Sequence, residues 1–211
     1  MAVTPSQLGR PVGADGEWTR ARIITAAMRR VAEAGYARAT IREIARAADM
    51  TSGSLYHYFS NKSELLEATV AEMERTALPR LRAAAGRDDD AVDRIVAVLD
   101  ESSRLMRDYP YLAAFERAIR VAGNERRGGT RVQYSGLKAL RDIITEIVGE
   151  AHARGVLPAG TDPDAAVNAI HALARGLTER AANLGPEAYA ATLASAKGLL
   201  RGTLFARPAR P

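Results

Sequence analysis

The sequence contains no cysteine, which removes disulfides, thiolate metal sites and thiol nucleophiles from consideration and suits a reducing compartment. It has no apolar run approaching the length that spans a bilayer. Its three histidines, His57, His152 and His171, lack the i, i+4 partner that helical metal sites favour. Phosphate-binding glycine loops, a Gly-x-Ser-x-Gly elbow and a dinucleotide fingerprint are all missing. An enzyme is therefore disfavoured, and neither a cofactor nor a metal is expected. The Asp88-Asp89-Asp90 run reads as favourable charge ahead of a helix and not as a cation site. The first eighteen residues carry Pro5, Gly9, Pro11, Gly13 and Gly16 without an apolar h-region, as in a loose tail and unlike a signal peptide or anchor. A cytoplasmic protein with no membrane partner is the expectation.

Runs of β-branched residues are scarce as well, while Ala, Leu, Arg and Glu recur, with 47% apolar and 26% charged residues. This composition predicts an all-α fold. The net charge of +5 is unevenly placed: residues 1–62 hold nine Lys/Arg against five Asp/Glu, which leaves the other 149 residues near neutral. A basic N-terminal third points to a polyanion as partner for that part alone.

Caps and breakers divide the chain into about nine helices. Thr19 can open a first helix that Gly35 ends, with Ile23, Ile24, Ala27 and Val31 inward. Thr40-Ile41-Arg42-Glu43 is a capping box at the head of a second helix, whose apolar positions are Ile41, Ile44, Ala45 and Ala48. Asp49 and Met50 break that rhythm and Thr51 caps a third helix, 52–59, that buries Leu55 and Phe59 and turns Tyr56 and His57 outward. Ser60 or Asn61 caps a long fourth helix from Lys62 that Pro79 kinks or ends. Further helices are predicted over 91–107, 111–122, 131–154 and 163–183, with a last one after Gly185-Pro186 ending near Leu204; the segment 123–129 reads as a mobile loop. The resulting division is a tail (1–18), a three-helix unit with a helix-turn-helix (19–63), a larger helical unit (64–205) and a frayed end (206–211).

The segment Thr40-Ile41-Arg42-Glu43-Ile44-Ala45-Arg46-Ala47-Ala48-Asp49-Met50-Thr51-Ser52-Gly53-Ser54-Leu55-Tyr56-His57-Tyr58-Phe59-Ser60-Asn61-Lys62 closely resembles the DNA-binding signature of the TetR family, and the likeness extends over about residues 18–66. Two positions depart from it: Asp49 stands where the family usually has Gly, and Ser63 where an acidic residue is common. Asp tolerates a left-handed backbone at modest cost. Elementary geometry agrees, since a major groove accepts one α-helix, and Ser52, Gly53 and Ser54 let its N-terminal backbone come close.

Carried over residue by residue, the resemblance implies that Thr40 and Thr51 bind phosphates. It implies that Arg42, Ser52, Gly53 and Ser54 meet base edges, that Tyr56, His57 and Tyr58 contact phosphates or thymine methyls, and that Lys62 clamps a phosphate. One module reads only a few base pairs, so a homodimer on double-stranded, palindromic operator DNA follows. The family implies dimerisation through the last two helices, with Val167, Ile170, Ala174 and Leu177 on one and Tyr189, Leu193, Leu199, Leu200 and Leu204 on the other. It also implies a cavity for a small-molecule effector among helices four to seven. Leu105, Met106, Tyr109, Phe115, Leu137 and Leu140 suit its apolar lining, and Glu116, Tyr134 and the Asn168, His171, Arg175 set suit its polar groups. The expected function is that of a ligand-released transcriptional repressor. A constitutive architectural DNA binder would share residues 1–66 and lack the sensor.

Overall fold

The computed structural model of the protein describes residues 14–86, 90–125 and 136–205. The expectations for Asp88-Asp89, Tyr134, most of the 123–129 loop and both ends of the chain fall outside those residues. Nine helices and no strand occur among them: α1 (Ala14–Ala34), α2 (Ile41–Ala47), α3 (Ser52–Tyr56), α4 (Lys62–Ala85), α5 (Ala91–Asp108), α6 (Leu112–Glu125), α7 (Gly136–Ala153), α8 (Pro163–Ala181) and α9 (Pro186–Arg201).

The helix starts lie where short polar side chains can satisfy the first free backbone N–H groups. Asn61 Oδ1 accepts from the Glu64 amide at 2.9 Å at the head of α4, and Asp90 Oδ1 accepts from the Asp93 amide at 2.9 Å at the head of α5. Asp162 caps α8, with Pro163 in its first turn, where a missing N–H costs nothing. Several boundaries differ from the sequence reading: α3 stops at Tyr56, short of Phe59, α6 runs to Glu125 into the expected loop, and α9 stops at Arg201, short of Leu204. Helix α1 begins at Ala14, ahead of Thr19, and Arg22 lies over the Trp18 ring at 4.8 Å, a contact between neighbouring turns that favours the extension. Helix α4 runs through Pro79 to Ala85 instead of stopping. Pro79 is on an exposed face, so the one carbonyl it leaves without a helical partner is open to water.

Helices α1, α2 and α4 close around a small core in which Ile23, Val31, Ile44, Leu55, Phe59, Leu65 and Leu66 are almost wholly buried. Burying one such side chain contributes about 1.5–3 kcal/mol, enough together to hold the five-residue α3, which is too short to stand alone. The rest is a bundle in which α4 packs on α5 and α7, α7 on α8, and α8 on α6 and α9, while α1 leans on α6. Ion pairs fasten the bundle: Arg80 meets Glu101 at 2.6 Å and Asp108 at 2.8 Å, and Arg104 meets Glu101 at 2.7 Å. Burial pushes the Glu101 carboxyl up, but hydrogen bonds from Arg104 and Arg80 outweigh it and leave Glu101 below its ordinary range.

Candidate nucleic-acid interface and cavity

Helix α3 is held by its two flanks. On one side the capping box at Thr40 is complete: its hydroxyl accepts from the Glu43 amide at 3.3 Å, and Glu43 Oε2 accepts from the Thr40 amide at 3.0 Å. The Thr40 backbone and hydroxyl donors hold the Glu43 carboxyl below the usual carboxylate range. The turn between α2 and α3 passes through Asp49 with φ of 51°, the left-handed conformation for which Asp is among the tolerated residues. On the other side Glu64 Oε2 accepts from the Ser60 hydroxyl at 2.5 Å and the Ser60 amide at 2.8 Å, and these bonds lower its pKa. Both carboxylates therefore act as clamps at the ends of the unit and not as acids.

Between these clamps α3 is presented outward. Tyr56 is 53% exposed, and Thr51, Gly53 and His57 are exposed, as are Thr40 and Arg42 on α2. Ser52, Ser54 and Tyr58 are half-buried. The Thr51 hydroxyl accepts from the Ser54 amide at 3.0 Å and lies 2.9 Å from the Ser54 hydroxyl, so two of the residues expected at the DNA also cap the helix. A Cβ added at Gly53 would meet nothing closer than Thr51 Oγ1 at 3.8 Å. The fold itself does not require glycine there.

Lys62 is tied into the protein: its Nζ donates to the Tyr36 carbonyl and sits 4.5 Å from the centre of the Tyr36 ring. Tyr36 is thus part of this face. The sequence reading includes it only as the end of α1, because the Lys62 contact spans 26 residues and has no local signal.

The cavity lies between α4, α5, α6, α7 and α8. Of the expected lining, Leu105, Met106, Glu116, Leu137 and Leu140 bound it, joined by Glu74, Leu78, Ser102 and Thr178, which the sequence reading misses. Its volume is about 60 Å³, room for about four water molecules, so any larger occupant must part the walls. Phe115 is fully buried and Tyr109 half-buried, and neither borders this space. The Asn168, His171, Arg175 set lies elsewhere, along a groove on the outer side of α8 with Arg120 and Glu179. There Asn168 Oδ1 accepts from Arg141 at 2.9 Å, and the His171 ring nitrogen lies 3.2 Å from the Leu137 carbonyl. The helical spacing puts these three on one face correctly, but none of them borders the cavity.

Most of the apolar surface expected at a subunit interface also turns inward, with Leu199 and Leu204 left exposed. Val167 is 4% exposed, and Ala174, Leu177 and Leu193 are buried with it in the chain's own core, with Ile170, Tyr189 and Leu200 half-buried. Side chains already covered have almost no surface left for a partner. What α8 and α9 expose is a row of small residues: Ala169, Ala172 and Gly176 on one, Ala191 and Ala194 on the other, with Leu199 beyond.

Comparison with known proteins gives a consistent picture. The family model for bacterial regulatory proteins of the tetR family matches residues 23–69. The chain is 28% identical over 179 residues to the HTH-type transcriptional regulator TtgR of Pseudomonas putida, covering 79% of this chain and 81% of that one. It is 38% identical over 84 residues to the HTH-type transcriptional regulator BetI of Stenotrophomonas maltophilia, covering 38% of this chain and 42% of BetI, less than half its length. Among solved structures, the transcriptional regulator FadR of Bacillus subtilis in complex with stearoyl-CoA superposes with a TM-score of 0.71 at 22% identity, covering 88% of this chain and 99% of FadR. Salmonella enterica GusR superposes with a TM-score of 0.66 at 24% identity, covering 94% and 99%. TtgR, BetI and FadR are each described as transcriptional regulators, and no helix among the described residues is long and apolar enough to cross a membrane.

Proposed function

The chain belongs to the TetR family of bacterial regulatory proteins, and from that premise we propose that it is a transcriptional repressor that binds a palindromic operator as a homodimer and is released by a small, largely apolar ligand. The observation that carries this reading is the outward α3, exposed on one side and clamped at both flanks by Glu43 and Glu64. In this proposal residues 19–63 bind DNA, with Thr40, Thr51 and Lys62 on phosphates and Arg42 and Ser52 to Ser54 at base edges. Residues 64–205 dimerise and hold the ligand.

We place the dimer contact on the exposed small-residue row of α8 and α9, where Ala and Gly allow two helices close approach. Helix α4 supplies the link: Lys62 opens it, and Ala77 and Leu78 border the cavity fifteen and sixteen residues on, roughly 20–25 Å along the axis. A ligand that parts the cavity walls moves that helix and shifts the pair of α3 helices off their common spacing, which lowers operator affinity by the ligand's preference between the two states. Selection of fragments from the source genome by the purified protein tests this. Enriched fragments should share an inverted repeat; fragments bound without any shared motif would point instead to an architectural DNA binder.

A further inference from the structure

We propose that the groove on the outer side of α8 is an anion site, separate from the cavity, that takes a phosphoryl group. Arg120 on α6 and Asn168, His171, Arg175 and Glu179 on α8 supply its polar lining around a volume of about 620 Å³, and no residue of α1 to α4 borders it. Its acceptors are already spent within the chain. Glu179 is the one carboxylate in the lining; its Oε2 accepts from Arg120 Nη2 at 2.6 Å, and its Oε1 lies 3.9 Å from Arg117 Nη1. Asn168 Oδ1 accepts from Arg141 at 2.9 Å, which fixes the amide and leaves Nδ2 as a donor, and His171 is engaged at the Leu137 carbonyl. Donors remain. The exposed Arg175 guanidinium has no hydrogen bond or ion pair among the described residues. Arg120 Nη1 is buried without a hydrogen-bond partner, an uncompensated donor. The Arg120 side chain borders the groove and is held there through Nη2 alone, so a turn of the guanidinium about that contact brings Nη1 to an acceptor in the groove. Four guanidiniums, those of Arg117, Arg120, Arg141 and Arg175, thus stand around one carboxylate. That excess favours an anion, and guanidinium forks match its oxygens in pairs. A carboxylate brings two oxygens and one charge and leaves part of the donor set idle; a phosphoryl group brings three oxygens and close to two charges near neutral pH. Ala172 and Gly176 complete the lining, which leaves space beside the anion for the body of an ester and sets the site at the border of the row assigned to the dimer contact.

Calorimetric titration of the full chain at constant ionic strength with phenyl phosphate, inorganic phosphate and benzoate separates the kind of anion from its source. Phenyl phosphate should bind at least about tenfold more tightly than benzoate. Inorganic phosphate bound as tightly as phenyl phosphate supports the site with the free ion as occupant, and inorganic phosphate bound more weakly supports it with an ester as occupant. Arg175→Gln, an exposed substitution that breaks no contact among the described residues, should reduce phenyl phosphate affinity at least about tenfold. Asn168→Asp, which replaces a donor with a negative charge, should reduce it as well. Benzoate binding as tightly as phenyl phosphate, binding by none of the three, or an affinity that Arg175→Gln leaves unchanged would overturn the proposal. None of these results touches the operator-binding reading, which the selection of DNA fragments tests by itself.

Discussion

Gly53→Ala separates what the fold needs from what DNA needs. Gly53 has no left-handed backbone to protect, and an added methyl would find its nearest neighbour, Thr51 Oγ1, at 3.8 Å. Replacing Gly by Ala inside a helix stabilises it by about 0.5–1 kcal/mol, which for a chain of this size raises Tm by roughly 1–4 °C. If α3 lies in a major groove with its N-terminal backbone against base edges, the same methyl occupies space that the bases need. Loss of one good base contact costs about 1–3 kcal/mol, so affinity for an enriched fragment should fall roughly 5- to 150-fold. Thermal unfolding and fluorescence anisotropy on the same preparation read both effects. A variant at least as stable as the parent that binds DNA less well supports the placement. Equal binding would refute it, and a clear loss of stability would show that the space around Gly53 is not open.

Lys62→Ala should weaken binding about equally for all DNA sequences and flatten the dependence of affinity on salt by about one phosphate contact, as read by anisotropy across a salt series; a change in base preference instead would place Lys62 at a base edge. Glu43 and Glu64 both titrate below their ordinary value of 4.5 in the folded chain, so their stabilising effect is complete above that value and fades as pH falls through the lowered folded values. In urea unfolding, the double substitution Glu43→Gln and Glu64→Gln should be less stable than the parent at about pH 6, with the gap closing in acid; a gap that widened in acid would contradict the clamp assignment. Ala172→Arg should give folded monomers in sedimentation while the buried core of α8 stays intact, whereas an unchanged dimer would move the interface off the α8 and α9 row.

Much of the layout is legible in the sequence because its signals are local. The Thr40 box, the Thr51 and Asn61 caps, Asp162-Pro163 and Gly185-Pro186 each act within one helical turn, and the structure has helices starting at each. The outward turn of Tyr56 and His57 follows from the burial of Leu55 and Phe59 four residues apart. Periodicity also identifies the apolar side of α8, but a pattern of Val167, Ala174 and Leu177 cannot tell whether the chain's own α7 or a second copy covers it. Nor do Ala169, Ala172 and Gly176 register as a hydrophobic stripe, since each is too small to weigh in such a pattern. The same limit applies to Asn168, His171 and Arg175: one face is evident, its direction is not. Glu74 and Thr178 come to one cavity only through the packing of α4 against α7 and of α7 against α8, which no local pattern encodes.

The absence of cysteine makes the central claim directly measurable. His57→Cys, at the exposed end of α3, introduces a single thiol to which a DNA-cleaving iron chelate can be attached, with Glu187→Cys on α9 as the control. On an enriched fragment the His57 label should cut at two loci about 34–36 Å apart along the duplex, one for each half-site, and the Glu187 label should not cut. Scattered cuts from the His57 label, or comparable cutting from Glu187, would contradict the presentation of α3 to DNA.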